Sequence, residues 1–407
     1  MNPPRTVDEA RMLDHLVLAG WGTEFRAKPA AAYDAASLAL DGWIDRGLPF
    51  DRRDDGSRAF DPAEVVNFAK SEGMAGRDDF WATRYVATGR KLAGEFGARP
   101  QSLGPRRISV RLERCFNLQH HPPGSRVRLR APFPANGHGI YELKTEAQPP
   151  ATRVQPGYVE TFVTVPEQRT TVVSVSYEFL TKITSNVENV PLDARDTELY
   201  LQPLEGLIRT TPRVSALAKE LAGNAFKSLD VLRAFWGFFL ERMRLGVLHE
   251  ERLPPHAPLD AILDLGWFDC RVGSALLVAL CRARGIPART CSGFTLYSVP
   301  FYHYWAEAWI EDRGWFPLDL SCWDLSLRGT DAAWREYFFG TLDYRLIVEV
   351  LPHTFTGFPS IDFPGAWYAL ARPLASGAAF GIFSAETGDL VYEDRVAVNV
   401  NAGPLLP

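Results

Sequence analysis

The stretch FDCRVGSALLVALCRARGIPAR, residues 268–289, decides the fold of this chain. Within it Val272, Ala275, Leu276, Ala279, Leu280 and Ala283 recur at helical spacing and draw one apolar face of an α-helix. Leu277, Val278 and Cys281 make most of the remaining surface apolar, which predicts a helix buried on several sides. Asp269 stands where an N-cap belongs, Gly285 where the helix should stop, and Pro287 just beyond as a breaker. Cys270 is therefore expected at a helix N-terminus. There the macrodipole and the unpaired amides of the first turn favour a thiolate, and the same amides suit an oxyanion.

Two strands are expected downstream. Residues 289–297 read as a short strand. Residues 302–310 alternate, with His303, Trp305, Glu307 and Trp309 on one face and Tyr304, Ala306, Ala308 and Ile310 on the other. Asp312, Arg313 and Gly314 signal a turn, and Trp315 to Leu318 starts the return strand, with Asp319 just after it. His303 and Asp319 lie directly opposite each other if the connection centres near Glu311. A tight loop at Asp312–Gly314 sets Asp319 against Glu307 instead. Joining His303 to Asp319 thus requires a wider loop or a bulge.

Cys270, His303 and Asp319 follow one another in the order of a thiolate–imidazolium–carboxylate site, each in the local structure its role needs. The run C-x14-GIPAR, then H-x-W-x-E, then GW-x-P-x-D, resembles the transglutaminase-like superfamily of papain-type cysteine enzymes. The motif covers roughly residues 265–325. Residues 199–245 are similar to the helical lead-in of bacterial members, and the β-rich stretch before them to the N-terminal β-domain often fused to that type. The resemblance implies an α+β fold: a papain-like core whose catalytic cysteine starts a helix packed on an antiparallel sheet, with a helical N-terminal region and a small β-sandwich domain added. It implies Cys270 as nucleophile, His303 as general base and acid, and Asp319 as the residue that orients the histidine. Trp267 is a candidate for the upstream oxyanion donor of the family. Trp305 and Glu307 match motif positions and are candidate walls of the site. The implied chemistry is acyl transfer at a peptide or carboxamide bond of a peptide or protein substrate. Hydrolysis, by a protease or amidase, is the favoured outcome. Transfer to an amine, or a binding module that has kept the fold without catalysis, are the alternatives.

No cofactor and no metal are called for. The five cysteines contain no C-x2-C or C-x4-C pair, and no D-x-D-x-D-G loop offers a calcium site. Cys281 and Cys291 fall within a helix and a strand and read as buried hydrophobes. His120, His121 and His138 fall in loops and read as solvated. A net charge of −5 with no basic block argues against nucleic acid and against a membrane surface. No apolar run approaches the length of a membrane span, and the first residues lack the pattern of a secretion signal. These features, with an odd and irregular set of cysteines, predict a cytoplasmic protein.

At 407 residues the chain is long enough for several domains. Residues 1–105 read as mostly helical, with Asp61-Pro62 as a helix start and Arg52–Arg58 as a polar loop. Residues 106–195 carry short alternating runs broken by prolines, the pattern of a β-sandwich. Ile108, Val110 and Leu112, then Val127 and Leu129, then Val173, Val175, Tyr177 and Phe179, are its expected core. Residues 196–350 hold the catalytic core, with one helix starting at Thr211-Pro212 and another capped by Ser228. Residues 351–407 form a C-terminal extension ending in a β-hairpin, with its turn near Glu386–Asp389.

Overall fold

The computed structural model describes residues 7–10, 12–13, 29–61, 64–65, 67–68, 106–134, 140–155, 158–181, 191–246, 248, 253–254, 256–296, 302–321, 336–341, 345–350, 369–373, 379–384 and 390–401. His138, Cys322, the linker at 101–105 and the turn at 386–389 lie outside them. Helix α1 spans Pro29–Asp45, and beside it Val7–Asp8, Arg58–Phe60 and Asp51–Arg52 form a small sheet. The loop expected at 52–58 is thus the connection of a hairpin, with Gly56 at φ 82° in its turn. That position favours glycine because a Cβ is crowded at positive φ.

Strands β1 (Arg106–Asn117), β2 (Arg126–Pro132), β3 (Ile140–Gln148), β4 (Arg153–Gln155), β5 (Tyr158–Thr164) and β6 (Thr170–Thr181) come next. Five helices lead into the core: α2 (Ala194–Leu199), α3 (Pro212–Ala222), α4 (Ser228–Arg242), α5 (Pro258–Leu265) and α6 (Cys270–Ala283). Strands β7 (Ala288–Thr295), β8 (Tyr302–Ile310), β9 (Gly314–Leu318) and β10 (Arg345–Val350) follow. The chain closes with β11 (Ala369–Pro373), β12 (Ala379–Ser384) and β13 (Leu390–Asn401).

Alternation along β1 and β6 buries Ile108, Val110, Leu112, Val173, Val175, Tyr177 and Phe179 on one face. Val127, Leu129 and Val159 of the three-stranded sheet β2-β5-β4 pack into the same core. Two sheets facing each other across apolar side chains make the sandwich. The larger sheet has the order β11-β12-β13-β1-β6-β3. Its strand β13 pairs with β1 along nearly its whole length, from Tyr392↔Phe116 to Asn401↔Arg107. Buried Arg114 of β1 fixes this pairing. Its guanidinium donates to both oxygens of Asp394 on β13, each at 2.7 Å, and lies 3.9 Å from the Tyr392 ring centroid. The C-terminal hairpin therefore lies in the sheet of the N-terminal sandwich.

A four-stranded sheet, β9-β8-β7-β10, is antiparallel throughout, and α6 packs across it. Helix α3 starts as its sequence requires: the Thr211 hydroxyl accepts from the Val214 amide at 3.1 Å, with Pro212 in the first turn. Helix α4 begins at Ser228 rather than being capped by it. Lys227 is the cap residue and makes no side-chain cap bond. The stripe of α4, Leu232, Phe235, Trp236, Phe239 and Leu240, is buried in the core that α6 shares. No helix among the described residues is long and apolar enough to cross a membrane.

Candidate active site

The first turn of α6 is built by Asp269. Its carboxylate accepts from the amides of Arg271 at 3.0 Å and Val272 at 2.8 Å, and its carbonyl from that of Gly273 at 2.9 Å. This fixes Cys270 as the first helical residue, with a half-buried thiol. It also commits the Arg271 and Val272 amides to the cap, so the first turn offers fewer oxyanion donors than its position alone suggests. At the other end Gly285 takes φ 73° and lets the Ile286 amide close on the Cys281 carbonyl at 3.0 Å.

The other described thiols are poorly suited to reaction. Burial pushes those of Cys281 and Cys291 well up. Burial, with the neighbouring carboxylate of Glu393, also raises that of Cys115. A thiol held protonated is a poor nucleophile.

His303 sits on β8 and is 1% exposed. Its Nε2 lies 3.0 Å from each oxygen of Asp319, which is 1% exposed. The register that joins them matches neither sequence expectation. Ile310 pairs with Gly314 and Ala306 with Leu318, so Glu311–Arg313 is a three-residue connection with Gly314 at φ 74°. This is the hairpin type that places a left-handed residue after the turn. Asp319 follows the end of β9 and falls in register with Trp305. His303 and Asp319 therefore meet as a diagonal pair on one face, a geometry that long side chains span. The Asp319 amide bonds the Phe338 carbonyl at 3.1 Å, which anchors its backbone.

Asp319 has a second partner that the sequence did not suggest. Arg345, at the start of β10 and 2% exposed, donates from its guanidinium to Oδ2 at 2.6 Å. Gly293 of β7 stands between: it pairs with His303 on one side and Ile347 on the other. A Cβ on Gly293 would come within 2.0 Å of the Leu346 carbonyl oxygen. Only a residue without a side chain lets β7 and β10 approach at this bulge.

Trp305 is wholly buried, with the His303 ring stacked at 6.1 Å and 26° and the Arg345 guanidinium 5.6 Å from its centroid. It is a shared plate beneath both. Glu307 is wholly buried rather than exposed, and it accepts from Arg289 at 2.9 and 2.7 Å. Arg289 in turn lies over Trp315 at 3.7 Å. Burial lowers the pKa of Arg289, but the charge of Glu307 and its other neighbours raise it on balance, so it stays a cation. Trp267 is half-buried on the two-residue strand beside Arg244–Leu245.

The geometry thus joins His303 to Asp319 directly and places Glu307 in a separate ion pair. Cys270 begins the helix that crosses β8. The Arg271 guanidinium beside it lies 5.7 Å from the ring of Tyr304, the neighbour of His303.

Residues 215–320 match the family model of the transglutaminase-like superfamily, and this segment is a transglutaminase-like domain. The match includes Cys270, His303 and Asp319 and stops before Arg345. No curated protein matches the chain. Among solved structures the chain is similar to a candidate cysteine protease from Cytophaga hutchinsonii. Identity is 15% and TM-score 0.45, over 75% of this chain and 94% of that one. It is also similar to the periplasmic domain of TgpA from Pseudomonas aeruginosa. There identity is 15% and TM-score 0.33, over 62% of this chain and 95% of that one.

Proposed function

We propose that this transglutaminase-like domain is a cysteine hydrolase acting on a peptide or carboxamide bond. The observation that carries the reading is the buried His303 imidazole, fixed through Nε2 by Asp319, on the strand crossed by the helix that Cys270 begins. A carboxylate on Nε2 sets the tautomer and assigns proton exchange with the thiol to Nδ1.

In the proposed cycle the Cys270 sulfur, having given its proton to His303, attacks the carbonyl carbon. Negative charge gathers on the carbonyl oxygen. With the Arg271 and Val272 amides in the cap, the amide of Cys270 itself is the first-turn donor assigned to that oxyanion. The C–N bond breaks as His303 returns its proton to the departing amine, leaving a thioester. Water, deprotonated by His303, then attacks the thioester carbon and releases the acid and the thiol. Asp319 orients the ring and balances the imidazolium charge.

The test is mass spectrometry of glutamine-bearing peptides incubated with and without a primary amine, with Cys270→Ala as control. Cleaved or deamidated product that depends on Cys270 supports the hydrolase. Amine-linked product in place of hydrolysis assigns a transglutaminase instead. An unreactive Cys270 with neither product assigns a binding module.

A further inference from the structure

We infer that the outer face of the three-stranded sheet β2-β5-β4 is a docking surface for an extended acidic segment of another polypeptide. The inference stands on this sheet and does not depend on the hydrolase reading.

Strand β2 reads RVRLRAP. Its alternation sends Val127 and Leu129 into the sandwich core and Arg126, Arg128 and Arg130 to the opposite face. The register sets Thr164, Phe162 and Glu160 of β5 beside these three arginines in turn, and Arg153 of β4 beside Glu160 on its other flank. The strand positions on this face therefore carry four guanidiniums and one carboxylate. Glu160 is buried among them, with Arg130 at 3.1 Å and Arg128 at 3.8 Å. The surplus lies at Arg126 and Arg153. Both are exposed, and among the described residues neither has a carboxylate partner. In a chain of net charge −5 this is a local excess of the opposite sign.

The arginines are also held in place. Arg126 lies 4.4 Å from the ring centroid of Phe162, and Arg130 lies 4.4 Å from that of Tyr158. A ring contact fixes a guanidinium without using its N–H donors, so the fork stays open to a carboxylate. Exposed ion pairs contribute little one at a time. Several forks already in position lose less side-chain freedom on binding and can act together. Alternate residues of an antiparallel strand stand about 6.8 Å apart. An extended peptide with Glu or Asp at every second position presents its carboxylates at the same step and on one side. A single-stranded nucleic acid fits less well. Its bases need open aromatic faces for stacking, and the Phe162 and Tyr158 rings already carry guanidiniums.

The experiment is fluorescence anisotropy of a labelled, amidated peptide of five Glu-Ser repeats. The protein is the full chain carrying Cys270→Ala, which removes the thiol that could consume the probe. Binding should fall in the micromolar range at about 20 mM salt. It should weaken severalfold at about 150 mM salt, where screening shortens the reach of exposed charges. A peptide of five Gln-Ser repeats should not bind. Arg126→Gln with Arg153→Gln should cost about tenfold or more in affinity, since two charge-assisted contacts are lost. Phe162→Leu keeps every charge and should cost about threefold through the lost ring contact. Arg233→Gln with Arg242→Gln removes as much charge from exposed sites on α4 and should stay within about twofold of the parent. No binding of the acidic peptide overturns the inference, as does unchanged affinity in the Arg126 and Arg153 double variant or in Phe162→Leu. An equal loss in the α4 double variant also overturns it, because the attraction is then one of net charge alone. A labelled hexathymidylate, with five phosphates against five carboxylates, is the competing probe. Tighter binding of it through Arg126 and Arg153 assigns the face to nucleic acid and overturns the peptide reading.

Discussion

Replacing Glu307 by glutamine tests whether this motif residue serves the chemistry or the core. The side chain is 0% exposed and both contacts to Arg289 end on the same oxygen, at 2.9 and 2.7 Å. Glutamine keeps the shape and one accepting oxygen but removes the charge. Arg289 is then a cation enclosed by Trp315 and Tyr200 without its counter-ion. Breaking a buried pair from one side costs about 3–5 kcal/mol. A surviving neutral hydrogen bond offsets about 1 kcal/mol of that. The expected loss is therefore about 3 kcal/mol, or roughly 6–12 °C in Tm for a cooperative unit of the size of this core. The double variant Glu307→Leu with Arg289→Met removes both charges and should recover most of the loss, since apolar replacement of a whole buried pair is nearly neutral. Urea unfolding followed by tryptophan fluorescence reads both effects, with Trp305, Trp309 and Trp315 close to the pair. Iodoacetamide labelling of Cys270 in the folded fraction should stay within about twofold of wild type, because Glu307 does not bond His303. A stability change below about 0.5 kcal/mol would refute the buried-charge argument. Unchanged stability with a lost Cys270 reaction would make Glu307, not Asp319, the partner of the histidine.

Three further outcomes are expected. Asp319→Asn should keep the fold, shown by circular dichroism, yet lower peptide turnover by roughly 10⁴, as carboxylate-to-amide changes do in analogous triads; full activity would remove Asp319 from the mechanism. Gly293→Ala should destabilise the core by about 3 kcal/mol or more, because its Cβ meets backbone at 2.0 Å rather than a side chain that can turn away; a thermal scan within 2 °C of wild type, about 1 kcal/mol or less for this core, would contradict the bulge geometry. Burial raises the Cys281 and Cys291 thiols above their unfolded value near 9.0, so the unfolded chain loses those protons first. Their contribution to stability is complete below pH 9 and falls above it by up to about 1.4 kcal/mol per thiol per pH unit. Cys281→Ala and Cys291→Ala should each flatten that decline in urea titrations, and an unaltered slope would show that the thiols ionise in place.

What the sequence determined by itself was local. The cap at Asp269, the stop at Gly285 and the alternation from His303 to Ile310 were legible because each depends on residues within a turn or a strand of one another. The placement of Cys270 and His303 was legible for the same reason, since a cysteine at a helix start and a histidine on an alternating strand need no distant partner to be recognised. The approach of Asp319 to His303 needed more. It hung on one residue of register, and a three-residue connection closed by Gly314 decided it, placing the two diagonally rather than face to face. Only the tertiary structure could supply Arg345, which comes from β10, three places from β9 in the sheet order. It also supplied the partners that move Glu307 from a candidate wall of the site into the core. The same holds for the sandwich, where Arg114 finds Asp394 across 280 residues of chain. The last hairpin announced itself by its pattern, but which sheet edge it would join did not. A strand's own sequence fixes which of its faces is apolar. Its neighbour is chosen by whatever open edge and unpaired buried charge the rest of the chain leaves for it.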